Sequence, residues 1–250
     1  MEKRGLSHSE LFSLAIIAFY SKLDYHLKQT NKSIGVIAAH LKQWTMKNHR
    51  HFWFVLFLPA YLFAYWALEQ YTAPHYWISY IPLDDSIPFV DFFVIFYCMW
   101  YAYVILSGLF LMFADRPVFL SFMRHLMAGL ILSVVICFIF PNAQELRPAE
   151  FERTTPFTSI VQAIYSVDTN TNVLPSMHVV GTLATAVAAC KSGKFNRSVK
   201  WLMALLAALI CASTVFIKQH SILDVFAAIL LSVPTYFLAY PGRRIGGDAK

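Results

Sequence analysis

The chain has 250 residues, of which 58% are hydrophobic and only 14% charged. A soluble domain carries about 25% charged residues, so an ordinary soluble globular protein is excluded. The formal charge is +6, but the basic residues are scattered among apolar spans, which leaves no folded module to read a nucleic-acid groove.

The apolar runs are long and unbroken, which points to membrane helices and away from the short alternating segments of a barrel. Residues 1–51 are different. Leu11, Phe12, Leu14, Ala15, Ile16, Phe19, Tyr20 and Leu23 line one side of a helix, with Lys22, Lys28, Lys32, Lys42, Lys47 and Arg50 between or after apolar positions. This stretch is too charged to span and reads as basic amphipathic helices on the membrane surface. A helical hairpin packed on the other spans is the alternative. No small-residue cleavage site follows Leu11–Tyr20, so it is not read as a cleavable signal.

Six spans are expected near 52–69, 90–113, 118–140, 176–190, 200–217 and 222–240. The fourth is short for a crossing of about 20 residues. Pro117 and Pro175 suit the first turns of the third and fourth helices, and Pro141 ends the third. The fold class is therefore all-α: a six-span domain over residues 52–240 with a short tail, 241–250. The loop 70–89 holds Asp84, Asp85 and several aromatics and reads as an interfacial cap. In the longer loop 141–174, Phe157–Tyr165 reads as a short amphipathic helix, with Asp168 and Asn172 as loop caps. Asp91 is expected to cap the second span. Cys98, Cys137, Cys190 and Cys211 all lie in apolar runs and read as packing residues.

Charge bias sets the orientation. With the N-terminus cytosolic, 17 of the 20 Lys and Arg fall on the inner side, and only Arg147, Arg153 and Lys218 fall outside. The positive-inside rule then places both termini in the cytosol. His178, His220, Asp224 and Arg147 all come to the extracytoplasmic end.

These residues sit in two strings, Pro175-Ser176-Met177-His178 and His220-Ser221-Ile222-Leu223-Asp224. Ionisable residues at the edges of spans are costly there and are functional candidates by default. On a helix, His220 and Asp224 share one face, close enough for the carboxylate to hold the imidazole. A second histidine beside them completes an acid/base pair for acyl or phosphoryl transfer.

The two strings, in this order, resemble the second and third signatures of the type 2 phosphatidic acid phosphatase superfamily, whose patterns are K-x6-R-P, P-S-G-H and S-R-x5-H-x3-D. The similarity covers roughly residues 90–240. It implies a six-helix membrane bundle and metal-independent hydrolysis of a lipid phosphate, either phosphatidic acid-like or a prenyl diphosphate. No cofactor and no metal ligand are implied, and the partners are membrane lipids. In that resemblance His220 is the nucleophile, Asp224 fixes its tautomer and His178 protonates the leaving alcohol. Ser176 and Arg147 bind phosphate oxygens, with Arg147-Pro148 preferred over Arg116-Pro117 because it lies on the side of the histidines. Lys218 is placed to replace missing charge.

The basic shell departs from the pattern. Phe140 occupies the lysine position, Thr214 the second arginine position, and Met177 replaces glycine. Relatives such as the sphingolipid synthases, which transfer a phospho-headgroup between lipids, keep the two histidines and the aspartate while losing surrounding basic residues. Two other readings use the same residues: a zinc-dependent membrane amidase held by His178, His220 and Asp224, and a transporter with an anion-attracting cavity.

Overall fold

The computed structural model describes residues 53–241. The expected interfacial helices of residues 1–51, and the tail beyond residue 241, lie outside the described residues. Seven α-helices form: α1 (Trp53–Glu69), α2 (Val94–Ala114), α3 (Arg116–Ile139), α4 (Pro156–Val167), α5 (Met177–Lys191), α6 (Arg197–Phe216) and α7 (Ile222–Ala239). Short 3-10 turns lie at Pro82–Ser86 and Asp91–Phe93. Six helices follow the apolar runs of the sequence, and α4 is the short amphipathic helix expected in the long loop.

Among the described residues, four helical segments are long and apolar enough to cross a membrane: Asp91–Ala114, Arg116–Ile139, Arg197–Phe216 and Ile222–Ala239. The other two apolar helices, α1 and α5, are shorter. The outward faces carry Phe63, Trp66, Leu106, Phe113, Phe138, Trp201, Leu230 and Phe237, all more than half exposed. An apolar surface on this scale belongs against lipid, so the chain is a membrane protein.

Helix α5 packs against α2, α3, α6 and α7. Its sequence explains the central place. Ala184, Ala188 and Ala189 are buried beside Val179 and Val180, and small side chains let helix backbones approach closely. Thr182 and Thr185 are also buried, and their hydroxyls donate to the carbonyls of His178 and Gly181 four residues back, at 2.7 and 2.8 Å. Those bonds satisfy the polar atoms within the helix. Two glycines set the seams. A Cβ on Gly129 of α3 would lie 2.5 Å from Val180 Cγ1, and one on Gly181 would lie 2.8 Å from the Trp100 ring of α2.

Local caps fix where the helices begin. Asp115 accepts from Val118 N, with Pro117 in the first turn of α3. Pro175, expected in the first turn of α5, instead precedes the cap. Ser176 is the N-cap residue, its side chain accepting from Val179 N, and the helix starts at Met177. The peptide bond before Pro175 is cis. Asp91 does not cap α2 through its side chain either, for its carboxylate accepts from Thr155 Oγ1 at 2.5 Å and ties the start of α4 to the 3-10 turn.

A small feature that the sequence pattern did not signal links the two long loops. Strand β1 (Trp77–Ile78) pairs in parallel with β2 (Asn142–Ala143), Trp77 opposite Asn142 and Ile78 opposite Ala143. Ser79 N then donates to Ala143 O at 2.7 Å. This pairing brings the 70–89 loop onto the end of the bundle where α5 and α7 begin.

Candidate active site

The site is built around the N-terminal ends of α5 and α7. At α7, Ser221 is the N-cap residue, and its Oγ accepts from Leu223 N at 3.1 Å. Asp224 reciprocates, its Oδ2 accepting from Ser221 N at 2.9 Å, which closes a capping box. The same Oδ2 lies 3.2 Å from His220 Nδ1. One carboxylate thus starts the helix and holds the imidazole. Asp224 is fully buried, and its Oδ1 accepts from Ser79 Oγ at 2.5 Å.

A second buried carboxylate stands behind this pair. Asp84, in the 70–89 loop, accepts from Ser221 Oγ at 2.6 Å, Ile222 N at 2.9 Å and Ile81 N at 2.9 Å. It stabilises the exposed donors and positive dipole end of α7. Reading the loop as an interfacial cap missed both Ser79 and Asp84. The only hint was an acidic pair among aromatics, without any spacing to link it to residue 221.

His178 occupies a different environment. Its ring stacks on Tyr97, with centroids 4.1 Å apart and planes 22° apart, and meets Trp100 at 4.5 Å and Tyr101 at 6.2 Å. Its Nε2 is buried and makes no hydrogen bond to any described residue. The His178 and His220 ring centroids are 6.5 Å apart. Both line a cavity of about 310 Å³, together with Tyr61, Tyr65, Tyr97, Trp100, Tyr101 and Asp168.

The other candidates sit elsewhere. Ser176 is fully buried, acts as the α5 cap, and is not in the cavity lining. Its backbone N–H donates to Asp224 O at 3.1 Å, which ties the two motifs together directly. Arg147 is also outside the lining. Its Nη1 donates to Tyr165 O at 3.3 Å, and its Nη2 to the carbonyls of Asp168 and Thr169 at 2.8 and 2.7 Å. The guanidinium carbon lies 4.4 Å from the centroid of the Tyr165 ring. Burial pulls the Arg147 pKa below its ordinary value, against the opposing pull of Asp168. Lys218 has a left-handed backbone, φ 55°, and its Nζ donates to Asp84 O at 2.8 Å and Ile87 O at 2.6 Å. Its pKa is also lowered by burial, with Asp84 and Asp85 acting the other way. The sequence reading aimed both cations at phosphate; here both are bonded to the backbone of the surrounding loops.

Asp168 and Asn172, read as loop caps, both line the cavity. Asp168 Oδ2 accepts from Tyr97 OH at 3.1 Å and Gln219 Nε2 at 2.9 Å. Asn172 donates to Glu69 Oε1 at 2.7 Å, and Thr169 Oγ1 donates to Glu69 Oε2. Asn142 holds the approach to α5: its Oδ1 accepts from Leu174 N at 2.7 Å and its Nδ2 donates to Leu174 O at 3.1 Å. Among the described residues, no group of three or more His, Cys, Asp or Glu stands together in a way that could hold a metal ion.

The described residues thus combine a helical bundle with a His–Asp pair facing a second histidine. Residues 122–244 match the family model of the PAP2 superfamily. The chain is accordingly an enzyme of the lipid phosphatase kind. The crystal structure of Aquifex aeolicus LpxE aligns with a TM-score of 0.44 at 20% identity, covering 64% of this chain and 87% of that one. None of the curated proteins matches the chain.

Proposed function

We propose that the chain transfers the phosphoryl group of a lipid phosphate through a phosphohistidine on His220, without a metal ion. The observation that carries this reading is the orientation of the dyad. Asp224 occupies the Nδ1 side of His220, so a carboxylate accepting Nδ1–H leaves the Nε2 lone pair free to attack phosphorus. Asp224 then stabilises the imidazolium-like ring once the phosphorus–nitrogen bond forms. His178, with an uncommitted Nε2, protonates the leaving oxygen and then takes the proton of the incoming hydroxyl.

With water as acceptor the result is hydrolysis of a phosphatidic acid-like lipid or a prenyl diphosphate. With a lipid alcohol it is headgroup transfer. The second outcome is favoured by one observation: among the described residues, the cavity lining contains neither lysine nor arginine. The bundle is read as six spans, α1 and α5 included, with both termini cytosolic and the site extracytoplasmic. The retained triad supports the chemistry, while Arg147, Ser176 and Lys218 support it by holding the loops and helix starts around the cavity.

The test is product analysis by mass spectrometry with purified protein in detergent, with chelator, and with or without added diacylglycerol. Turnover that survives chelation and is abolished in His220→Ala is the expected result, along with an acid-labile phosphorylated protein trapped on rapid quenching. Full activity in His220→Ala, or stoichiometric zinc whose removal stops turnover, would sink the reading.

A further inference from the structure

Gln219 immediately precedes His220, is 2% exposed, and lines the cavity with both histidines. Its Nε2 donates to Asp168 Oδ2 at 2.9 Å. An ionised carboxylate only accepts, so this bond decides which end of the amide meets Asp168. The other end, Oε1, is buried and accepts no hydrogen bond among the described residues. Native structures leave few buried acceptors in that state, because each is costly.

The surroundings hold this amide still. The backbone N–H groups of Gln219 and His220 both donate to Thr214 O, at 3.0 Å each. Tyr97 OH donates to the same Asp168 oxygen at 3.1 Å, and the Tyr97 ring stacks on His178. Arg147 donates to Asp168 O at 2.8 Å and so fixes the segment that carries the carboxylate. One carboxylate therefore links the ring beneath His178 to the amide beside His220. Once His178 has protonated a leaving oxygen, the cavity presents two acceptors that need donors: His178 Nε2 and Gln219 Oε1. That pair distinguishes incoming hydroxyls. Water brings two O–H donors and can satisfy both. An alcohol brings one, which must go to His178 if its oxygen is to attack, and Oε1 is then left without a donor.

We infer that Gln219 is a specificity-determining residue that holds the water for hydrolysis and so sets the share of water among incoming hydroxyls. This rests on the phosphohistidine at His220. The water oxygen bonds to phosphorus, the phosphorus–nitrogen bond breaks, and its electron pair returns to His220 Nε2. One water proton passes to His178 Nε2. The other stays on the oxygen, hydrogen-bonded to Gln219 Oε1, and inorganic phosphate leaves. A side-chain amide can aim an attacking water in this way without itself gaining or losing a proton. Asp168 acts through Gln219, as a positioning residue that keeps Oε1 turned away from itself.

The experiment gives the full-length protein in detergent phosphatidic acid, or farnesyl diphosphate if its turnover is faster, with methanol as a competing hydroxyl. Inorganic phosphate and methyl phosphate are measured together by mass spectrometry. Their ratio is independent of the first step, because both come from one phosphoenzyme. Gln219→Met, similar in size and without the amide, should lower the ratio of inorganic to methyl phosphate about tenfold, the size expected for one lost hydrogen bond. Asp168→Asn should lower it as well, since an asparagine can donate to Oε1 and let the amide turn round. The burst of lipid product on mixing should persist in both variants while steady release slows. If Gln219→Met does not fold, the ratio in Asp168→Asn decides. An unchanged ratio with both products falling together, or a wild type that forms methyl phosphate but no inorganic phosphate, overturns this inference and leaves the His220 mechanism standing. Full release of inorganic phosphate by His220→Ala removes the mechanism instead, and with it the phosphoenzyme that the water would attack.

Discussion

The two histidines face one cavity from walls built on opposite principles. Around His220 nearly every polar atom has a partner: Asp224, Ser79, Ser221, Asp84 and Lys218 form a continuous hydrogen-bonded set. Around His178 there are rings instead, and its buried Nε2 makes no hydrogen bond to any described residue. A network with all members satisfied fixes a ring in one orientation and one tautomer. Stacking restrains the His178 ring's plane but leaves Nε2 uncommitted among the described residues. The contrast suits the two tasks proposed for these rings, since a nucleophile must be aimed and a proton carrier must change state.

Substitutions can break or sharpen this contrast. His220→Ala removes the attacking atom and should lower kcat to the detection limit in a lipid-phosphate assay, with the protein still folded by circular dichroism. His178→Phe keeps the stacking but loses the proton carrier, and should cost about 10²–10⁴-fold in kcat. That loss should shrink for substrates with better leaving groups, and a uniform loss would argue that the ring merely supports the wall. Asp84→Asn leaves buried donors at the α7 start poorly matched and should cost about 1–3 kcal/mol in stability, with kcat falling because Ser221 and His220 shift together.

Ser79→Ala deletes one buried bond to the Asp224 carboxylate. About 1.5–3 kcal/mol is typical for bonds to charged groups, so roughly tenfold or more in kcat with KM little changed is expected. Arg147→Lys should have the smallest effect on turnover, a few-fold, because the guanidinium holds carbonyls rather than lining the cavity. Its cost should appear in thermal stability, since one ammonium cannot match a fork bonded to three carbonyls. A loss beyond 10²-fold in kcat/KM would instead make Arg147 a phosphate clamp.

The sequence carried the helices well because apolar length is a one-dimensional signal, and it carried His178, His220 and Asp224 because their spacing is local to each string. Asp224 was legible as the four-apart partner of His220, and the structure adds that it closes the capping box begun at Ser221. Ser79 and Asp84 were not. They reach residues 224 and 221 through a two-residue strand pairing between loops that has no periodicity to detect. Arg147 and Lys218 bond partners that the sequence did not signal, for a related reason. A cation near a phosphate motif looks like a ligand, but the buried carbonyls of Tyr165, Asp168 and Thr169 for one, and of Asp84 and Ile87 for the other, compete for the same donors. Those acceptors exist only once the loops have folded.

The short central helix has a further consequence. With 15 residues it rises about 22 Å, against a hydrocarbon thickness of about 30 Å. If Lys191 sits at one boundary of the bilayer, His178, 13 residues and so about 20 Å away along a helix normal to the membrane, lies about 10 Å below the opposite one. Under the six-span reading proposed above, the two histidines would then be submerged rather than surface-mounted, and a lipid substrate would enter sideways from its own leaflet with its tails still in oil.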